Sequence, residues 1–174
     1  MVMLESCKPI KPARGKLTSW VVHCDGATLG TNPSNMGGAG YTVWANGKLY
    51  YAHHLAISGE VTGNLAEFLA LHNALLWCHT HFIGECTIKT DSNSLVTWFN
   101  GGSKLTNPKA MMLAAAIKHS LQFVDAKLEW VARDTPQQSF TDMISKLGFN
   151  GEGRYQTKES HDALFNYFYS VEAQ

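Results

Sequence analysis

The chain has 174 residues, 45% of them hydrophobic, and a formal net charge of zero at pH 7, because 14 basic residues balance 14 acidic ones. This length and apolar content fit one ordinary domain, and no run approaches the roughly 18 apolar residues that a membrane span needs. A zero net charge argues against tight, salt-resistant binding of nucleic acid by the protein alone, but not against a site that obtains positive charge from metal ions.

The N-terminal segment and the cysteines indicate a reduced, cytoplasmic setting. Residues 1–16 show no apolar stretch followed by a small-residue cleavage site, so they do not form a secretory signal. The four cysteines form no CxxC pair, which argues against a zinc knuckle or a redox motif. Residues 7–16 contain two prolines and four basic residues, so we expect residues 1–17 to form a flexible basic arm, either solvated or touching a nucleic-acid backbone.

The first part of the predicted domain is an antiparallel meander of three strands. Residues 20–24 are short, apolar and β-branched, and they run into Asp25-Gly26, which predicts a buried strand ending in a turn. Residues 37–45 alternate small and large side chains and close at Asn46-Gly47, which is typical of a tight hairpin. Residues 49–57 then supply the returning strand.

The rest of the domain alternates helices and strands. Apolar residues at three- and four-residue steps predict a helix over residues 64–81, and the next strand, residues 86–90, ends at Asp91. A short helix over 92–99, a helix that Pro108 opens and that runs to Phe123, a strand over 127–131 and a helix over 137–147 follow. The order βββαβααβα predicts an α/β fold with a five-stranded mixed sheet, three antiparallel strands followed by parallel strands, flanked by helices.

We assign residues 18–148 to this domain and residues 149–174 to a C-terminal extension. Within the extension, Leu164, Phe165, Phe168 and Tyr169 give residues 158–171 the apolar stripe of an amphipathic helix. This helix either packs back on the domain or binds a partner.

Carboxylates fall where the predicted sheet would bring them together. Asp25 and Asp91 follow strands that we expect to be parallel neighbours, and ligands of α/β sheets bind at the carboxyl edge of such strands. Glu67 lies one turn into the helix before the fourth strand and interrupts its apolar face. Each residue alone has a plain structural explanation: a turn for Asp25, a surface position for Glu67 and a helix cap for Asp91. Their coincidence at one edge favours a shared site.

Such a group of carboxylates requires a counter-charge. Like charges in a small dry site would raise one another's pKa until some were protonated. Divalent magnesium or manganese prefers carboxylate oxygens, and two such ions about 4 Å apart can activate water and stabilise the leaving oxygen of a phosphodiester. The pattern therefore predicts a metal site for phosphodiester hydrolysis.

At these residues the sequence resembles type 1 ribonuclease H, the nuclease that cuts the RNA strand of RNA–DNA hybrids. His23-Cys24-Asp25-Gly26-Ala27 is similar to the first-strand signature of the family. Residues 62–67, with Thr62, Asn64 and Glu67, resemble its Thr-x-Asn-x-x-Glu motif, and Thr90-Asp91-Ser92 its Thr-Asp-Ser motif. Trp130-Val131, followed by Asp142 in the next helix, matches its last strand and fourth carboxylate. The resemblance covers residues 18–147.

The resemblance implies the ribonuclease H-like fold and metal-dependent cleavage that leaves a 5′-phosphate. Asp25, Glu67, Asp91 and Asp142 would be the catalytic residues and would ligate two Mg²⁺ ions, with Mn²⁺ as a substitute. The RNA–DNA hybrid would be the partner; neither a membrane nor an obligatory protein partner is indicated. The implied substrate-binding residues are Thr62 at a phosphate of the DNA strand, Asn64 and Asn93 near the 2′-hydroxyls of the RNA, and Gln138, which replaces a family asparagine near the RNA.

Two departures from the family pattern predict weaker binding or slower turnover. Ala132 stands where bacterial members often carry a histidine; the adjacent Arg133 could hold a phosphate but could not act as a base. The segment between the two middle helices is short, residues 100–107, with Lys104 as its one charge, whereas many members insert a basic helix there. The eight histidines of the chain form no zinc signature and are interpreted as core or surface residues.

Three functions remain open at this point. The intact carboxylates favour an active ribonuclease H. The missing histidine and the small basic surface favour a non-catalytic nucleic-acid-binding module with the same fold. A DNA-cutting relative of the resolvase or integrase type is the third alternative, because fold alone does not determine substrate.

Overall fold

The computed structural model describes residues 18–156 of the chain. The predicted basic arm, residues 1–17, and the predicted amphipathic helix, residues 158–171, lie outside the described residues. The elements, in chain order, are β1 Trp20–Thr28, β2 Ser34–Ala45, β3 Lys48–Val61, α1 Gly63–Thr80, β4 Glu85–Thr90, α2 Asn93–Phe99, α3 Pro108–Ser120, β5 Asp125–Trp130, α4 Pro136–Leu147 and β6 Gly153–Tyr155.

The strands form one mixed sheet in the order β5-β4-β1-β2-β3-β6. β1, β2 and β3 are antiparallel neighbours, whereas β4 and β5 run parallel to β1. This arrangement confirms the predicted meander, the parallel strands and the order of the helices. The hairpin between β2 and β3 turns at Asn46-Gly47, as predicted, with φ values of 50° and 80°.

The sheet has six strands rather than the predicted five. The additional strand, β6, has three residues and pairs antiparallel with β3. A segment of three residues is too short to show the alternation of apolar and polar residues that predicts a strand. Only its pairing with β3 identifies it as one. β6 and the residue before it also contact two buried histidines of β3. The Glu152 carboxylate accepts a hydrogen bond from His53 Nε2 (2.9 Å), and the Tyr155 hydroxyl lies 2.9 Å from His54 Nε2.

Helices cover both faces of the sheet. α1 packs on β1 and β2 with α3 beside it, and this side holds the larger core, which includes Val22 and Cys24 of β1. α4 packs on β1, β2 and β3 from the opposite side, where Trp44, Phe140 and Ile144 form a smaller core. Among the described residues, no helix is long and apolar enough to cross a membrane.

Two glycines of β2 let α4 lie directly on the sheet. A Cβ atom at Gly38 would be 2.0 Å from the Ser145 carbonyl oxygen, and one at Gly40 would be 2.7 Å from the Ser145 nitrogen. The close approach brings Thr42 within 2.7 Å of Thr141, hydroxyl to hydroxyl, in the buried interface. The position of α4, and of every side chain on it, therefore depends on these two glycines.

Candidate metal centre and its groove

Asp25 lies at the point where β1 stops pairing with β4 but continues to pair with β2. β1 and β4 pair from Val21↔Thr87 to His23↔Lys89, so Asp25 comes just after the parallel pairing stops. The prediction that β1 ends at Asp25 is wrong, because pairing with β2 continues the strand to Thr28. The Asp25 side chain is buried and its Oδ1 accepts a hydrogen bond from the Gly26 nitrogen (2.9 Å).

The start of α1 brings Glu67 to Asp25. Thr62 caps the helix, its hydroxyl oxygen accepting from the Leu65 nitrogen at 3.1 Å. A Cβ atom at Gly26 would lie 2.4 Å from the Glu67 nitrogen, so glycine is required for α1 to pack this closely against β1. The Asp-Gly pair of the sequence thus has a packing function in addition to supplying a carboxylate.

Asp25, Glu67 and Asp91 form one compact cluster, as predicted. One carboxylate oxygen from each residue lies within 4.8 Å of those of the other two. Asp91 follows β4, its side chain is 6% exposed, and its Oδ2 accepts from Arg133 Nε at 2.8 Å. The Arg133 side chain itself is 81% exposed. A surface guanidinium therefore contacts one carboxylate of a buried acidic cluster.

The cluster strongly disfavours full ionisation of its own carboxylates. Burial raises the pKa of Asp25 well above its ordinary value, and the neighbouring Glu67 charge raises it further. Burial also raises the pKa of Glu67, with Asp91 adding to the effect. A positive charge larger than that of Arg133 is needed to hold all three as carboxylates.

The donor set fits a divalent metal. Every atom that the cluster offers is a carboxylate oxygen, the ligand type that hard cations prefer. Glu67 Oε2 is buried and has no hydrogen-bond partner within the described part of the chain. A buried oxygen of this kind is costly unless a ligand contacts it, and a bound cation would satisfy it.

Asp142 approaches the cluster from α4. Its Oδ2 lies 2.8 Å from Lys146 Nζ, one helical turn on, and its side chain is 30% exposed. It does not belong to the compact group of three, yet its charge contributes to the raised pKa of Asp25. Its assignment as a fourth ligand therefore stays a prediction.

Four of the five predicted substrate-binding residues line one open groove together with Glu67 and Asp91 of the acidic cluster. Thr62 caps α1, Asn64 lies in the first turn of α1, Asn93 begins α2, and Arg133 follows β5. The full lining is Gly26, Thr28, Asn32, Thr62, Gly63, Asn64, Glu67, Asp91, Ser92, Asn93, Ser94 and Arg133.

Gln138, the fifth, does not face this groove. It is fully buried, its Nε2 donates to the Cys24 carbonyl oxygen (3.1 Å), and its Oε1 lies 2.9 Å from His23 Nδ1. Both polar atoms are therefore engaged inside the fold. The prediction that Gln138 contacts RNA is wrong; the residue ties α4 to β1 beneath the acidic cluster.

Three contacts around the cluster carried no signal in the sequence. The Trp130 indole nitrogen donates to the Asp91 carbonyl oxygen (3.2 Å), and the Ser92 nitrogen donates to Thr90 Oγ1 (3.1 Å). The third is the His23–Gln138 pair, whose members are 115 residues apart. Burial lowers the pKa of His23 to about 4, so its imidazole is neutral at pH 7.

Comparison with solved structures identifies the architecture. The N-terminal RNase H domain of a Mycobacterium tuberculosis protein, solved as a fusion with maltose-binding protein, matches with a TM-score of 0.68 and 23% identity, covering 77% of this chain and 95% of that one. RNase H1 of the archaeon Halobacterium salinarum matches with a TM-score of 0.67 and 21% identity, covering 76% and 98%. LC11-RNase H1 in complex with an RNA/DNA hybrid matches with a TM-score of 0.63 and 20% identity, covering 76% and 97%.

A sequence comparison points the same way. A family model described as reverse transcriptase-like matches residues 23–141, more than half of the chain, and this span contains Asp25, Glu67 and Asp91. No curated protein matches the sequence. The solved structures, at these identities, show the fold, and the family model shows the relationship.

Proposed function

Since this chain belongs to the reverse transcriptase-like family and has the ribonuclease H fold, we propose that it is a metal-dependent endonuclease for the RNA strand of RNA–DNA hybrids. The observation that carries the proposal is the buried cluster of Asp25, Glu67 and Asp91, which requires a multivalent cation and opens onto a groove. Magnesium is the proposed metal, with manganese as a substitute.

The residues of the chain hold and orient the reacting groups. Asp25, Glu67 and Asp91 supply oxygens to the metal, and Asp142 would complete the set from α4. Two bound ions would activate a water molecule and stabilise the oxygen that leaves the phosphorus. The hydrogen bonds from Gly26 to Asp25 and from Trp130 to the Asp91 backbone fix the positions of these ligands before a metal binds.

Arg133 combines two functions in this proposal. Without metal it is the cation nearest Asp91, at 2.8 Å. With a metal bound to the carboxylate, the exposed Arg133 guanidinium would be available to hold a phosphate of the substrate, for which its planar donors are suited. It cannot accept a proton, and Ala132 offers no substitute for the histidine that bacterial relatives carry, so we expect slow turnover.

Two adjoining grooves suit the two strands of a duplex. The first contains the acidic cluster together with Asn64 and Asn93, and would take the strand that is cut. The second shares Thr62 and Asn64 with the first, and extends past Trp98, Lys104 and Asn107. An aromatic ring, a cation and polar side chains are suited to contact a second sugar-phosphate backbone, which assigns the uncut DNA strand to the second groove.

A cleavage assay tests the proposal. End-labelled RNA–DNA hybrid, double-stranded RNA and double-stranded DNA of one sequence are incubated with the protein in magnesium, in manganese and in EDTA. We expect cleavage of the RNA strand of the hybrid only, dependent on metal. Asp91→Asn should abolish it, because one ligand loses its charge, whereas Asp125→Asn, an exposed acid at the start of β5, should cleave like the wild type.

Each other outcome contradicts the proposal. Full magnesium-dependent cleavage by Asp91→Asn would remove the acidic cluster from the mechanism. Binding of the hybrid without cleavage in either metal would favour a non-catalytic module. Cleavage of double-stranded DNA, or of a hybrid whose ribonucleotides are replaced by deoxyribonucleotides, would favour a DNA-cutting relative.

A further inference from the structure

A second pocket lies on the α4 face of the sheet, apart from the groove with the acidic cluster. It has a cavity volume of about 230 Å³ and lies between the start of α4 and strands β1, β2 and β4. None of its lining residues lines the groove of the acidic cluster. Its walls combine apolar and polar side chains, chiefly Val21, His23, Trp44, Lys89, Val131 and Gln137.

His23 presents a hydrogen-bond acceptor to this pocket. The Gln138 amide nitrogen donates to the Cys24 carbonyl oxygen, so the Gln138 oxygen faces His23 Nδ1, which must carry the hydrogen. The ring is 4% exposed, and no carboxylate among the described residues contacts it. His23 Nε2 therefore has a free lone pair, and within residues 18–156 no group donates a hydrogen bond to it.

Lys89 and the start of α4 supply donors close to this acceptor. Lys89 forms no ion pair with any described residue; Glu129 faces it across the β4–β5 pair. Pro136 and Gln137 begin α4. Thr135, the residue before them, makes no side-chain capping bond to the helix, and its hydroxyl donates to the Ala132 carbonyl oxygen (2.8 Å). The Gln137 N–H group, which has no partner within the helix, thus adds a second donor beside the pocket.

Trp44 gives the pocket a rigid aromatic wall. Its indole nitrogen donates to Thr42 Oγ1 at 2.8 Å, which fixes the ring. His23 and Phe140 contact the same ring edge-on, with centroid separations of 6.5 and 6.2 Å. A planar ligand in the pocket would find an aromatic contact, an acceptor and a cationic donor together.

We infer that this pocket binds a single unpaired nucleobase through its Watson–Crick edge, with Trp44 as the aromatic contact. The edge of a base offers an N–H donor beside an acceptor, which matches His23 Nε2 beside Lys89. The cavity, of about 230 Å³, has room for one base. Aromatic contacts of this kind bind bases with little preference for sequence.

The position of the pocket connects it to the nucleic acid that the proposed function assigns to the protein. His23 precedes Asp25 by two residues on β1, and Lys89 precedes Asp91 by two residues on β4. Two residues of a strand span about 7 Å, so a nucleotide near the acidic cluster is within reach of the pocket. The inference rests on the proposed function only in taking the base from a nucleic acid bound at the acidic cluster.

Nucleoside binding without metal tests the inference. The probe is uridine, followed by amide and indole chemical shifts of the isotope-labelled protein in EDTA; N3-methyluridine, which lacks the N–H donor, is the matched ligand. We expect uridine to shift the Trp44 indole and Gln137 amide signals, and N3-methyluridine to bind about tenfold more weakly. Lys89→Met should weaken uridine binding by a similar factor, because it removes the ammonium and keeps most of the side-chain stem.

The control is Lys127→Met, an exposed lysine on the same face of the neighbouring strand and outside the pocket, which should bind uridine like the wild type. Equal affinity for uridine and N3-methyluridine, or equal effects of the two lysine variants, would overturn the inference. So would the absence of any shift at Trp44 in a folded protein. Because neither metal nor cleavage enters the measurement, its failure would leave the nuclease proposal standing, and failure of the cleavage assay would leave the pocket testable.

Discussion

Asp25 and Glu67 are carboxylic acids in surroundings that disfavour their charged forms. Both are buried and lie beside each other and Asp91, so the pKa of each is raised in the folded protein. A raised folded pKa means that these two groups bind more protons in the folded state than in the unfolded state, so their contribution to stability is largest at low pH and falls as the pH rises above about 4. The residues that would bind the metal therefore destabilise the metal-free protein at neutral pH.

We predict that Asp25→Asn stabilises the metal-free protein. The amide replaces a carboxyl group that must either carry an unfavourable charge or take up a proton, and it can still accept the hydrogen bond from the Gly26 nitrogen. In EDTA at pH 7.5 the free energy of unfolding should rise by about 0.5–2 kcal/mol, the usual range for a stabilising substitution, whereas at pH 4.5 the two proteins should differ less. Thermal unfolding at both pH values measures the effect.

The change in Tm on adding magnesium gives a second test of the Asp25→Asn variant. Magnesium should raise the Tm of the wild type by binding the folded state and raise the Tm of Asp25→Asn much less. An Asp25→Asn variant that gains as much stability at pH 4.5 as at pH 7.5 in EDTA would contradict the raised pKa of Asp25.

Single residues also show which site positions can be predicted from sequence and which cannot. Thr62, Asn64, Asn93 and Arg133 were predicted from their positions near the motifs, and the fold brings them to one groove. Gln138 occupies an equally suggestive position in the sequence but is turned into the protein. Which way the side chain of a helix residue faces depends on how the helix packs. The sequence around Gln138 does not indicate which side of α4 packs against β1.

At the scale of elements, the contact between α4 and β2 decides where Asp142 lies. Gly40 lies under Ser145, and a Cβ atom there would be 2.9 Å from the Ser145 Cα atom. Both partners are backbone, so neither can rotate away as a flexible side chain could. Any side chain at position 40 must push α4 outwards.

We predict that Gly40→Ala lowers both stability and activity. Displacement of α4 breaks the close packing over Thr42 and Thr141 and moves Asp142 away from the cluster, so cleavage of the hybrid should fall more than the amount of folded protein does. Gly84→Ala is the control, because a Cβ atom at Gly84 meets nothing within 4 Å and should be tolerated. Urea unfolding and the rate per folded molecule measure the two effects, and an unchanged rate would show that the position of α4 does not matter for cleavage.

Secondary structure itself followed from local patterns. The Asn-Gly hairpin, the helix α1 and the proline that opens α3 were all predicted, because turn chemistry and helical spacing act over a few residues. The boundaries moved where tertiary contacts extended an element. β1 continues past Asp25 because β2 offers it hydrogen bonds, and β6 exists because β3 has a free edge.

At the scale of the whole molecule, the zero net charge limits the affinity of the protein for a polyanion such as nucleic acid. Among the described residues, Arg133 is the one cation that lines the groove of the acidic cluster, and Lys104 the one that lines the adjoining groove. Two phosphate contacts release few counterions, so binding should depend weakly on salt. A metal at the cluster would supply most of the remaining attraction.

We predict a shallow salt dependence for hybrid binding. The slope of log K against log salt, measured by fluorescence anisotropy with the Asp91→Asn variant in magnesium, should be about −2, at roughly −0.9 per phosphate contact. Adding Lys104→Gln should reduce the slope by about one, whereas adding Lys127→Gln, at an exposed lysine of β5 that lines neither groove, should not change it. A slope several times steeper would show that residues outside the two grooves bind the backbone.

The sequence by itself determined the elements other than β6, their order and the three carboxylates of the acidic cluster, because each depends on spacing within a few residues or on a short motif around Asp25, Glu67 or Asp91. Only the tertiary structure decided how these parts meet. The register of β1 against β4 sets the separation of Asp25 and Asp91, and Gly26 lets α1 bring Glu67 to them. The His23–Gln138 pair and the Arg133–Asp91 contact join residues 115 and 42 positions apart, and no local pattern encodes a contact at such distances.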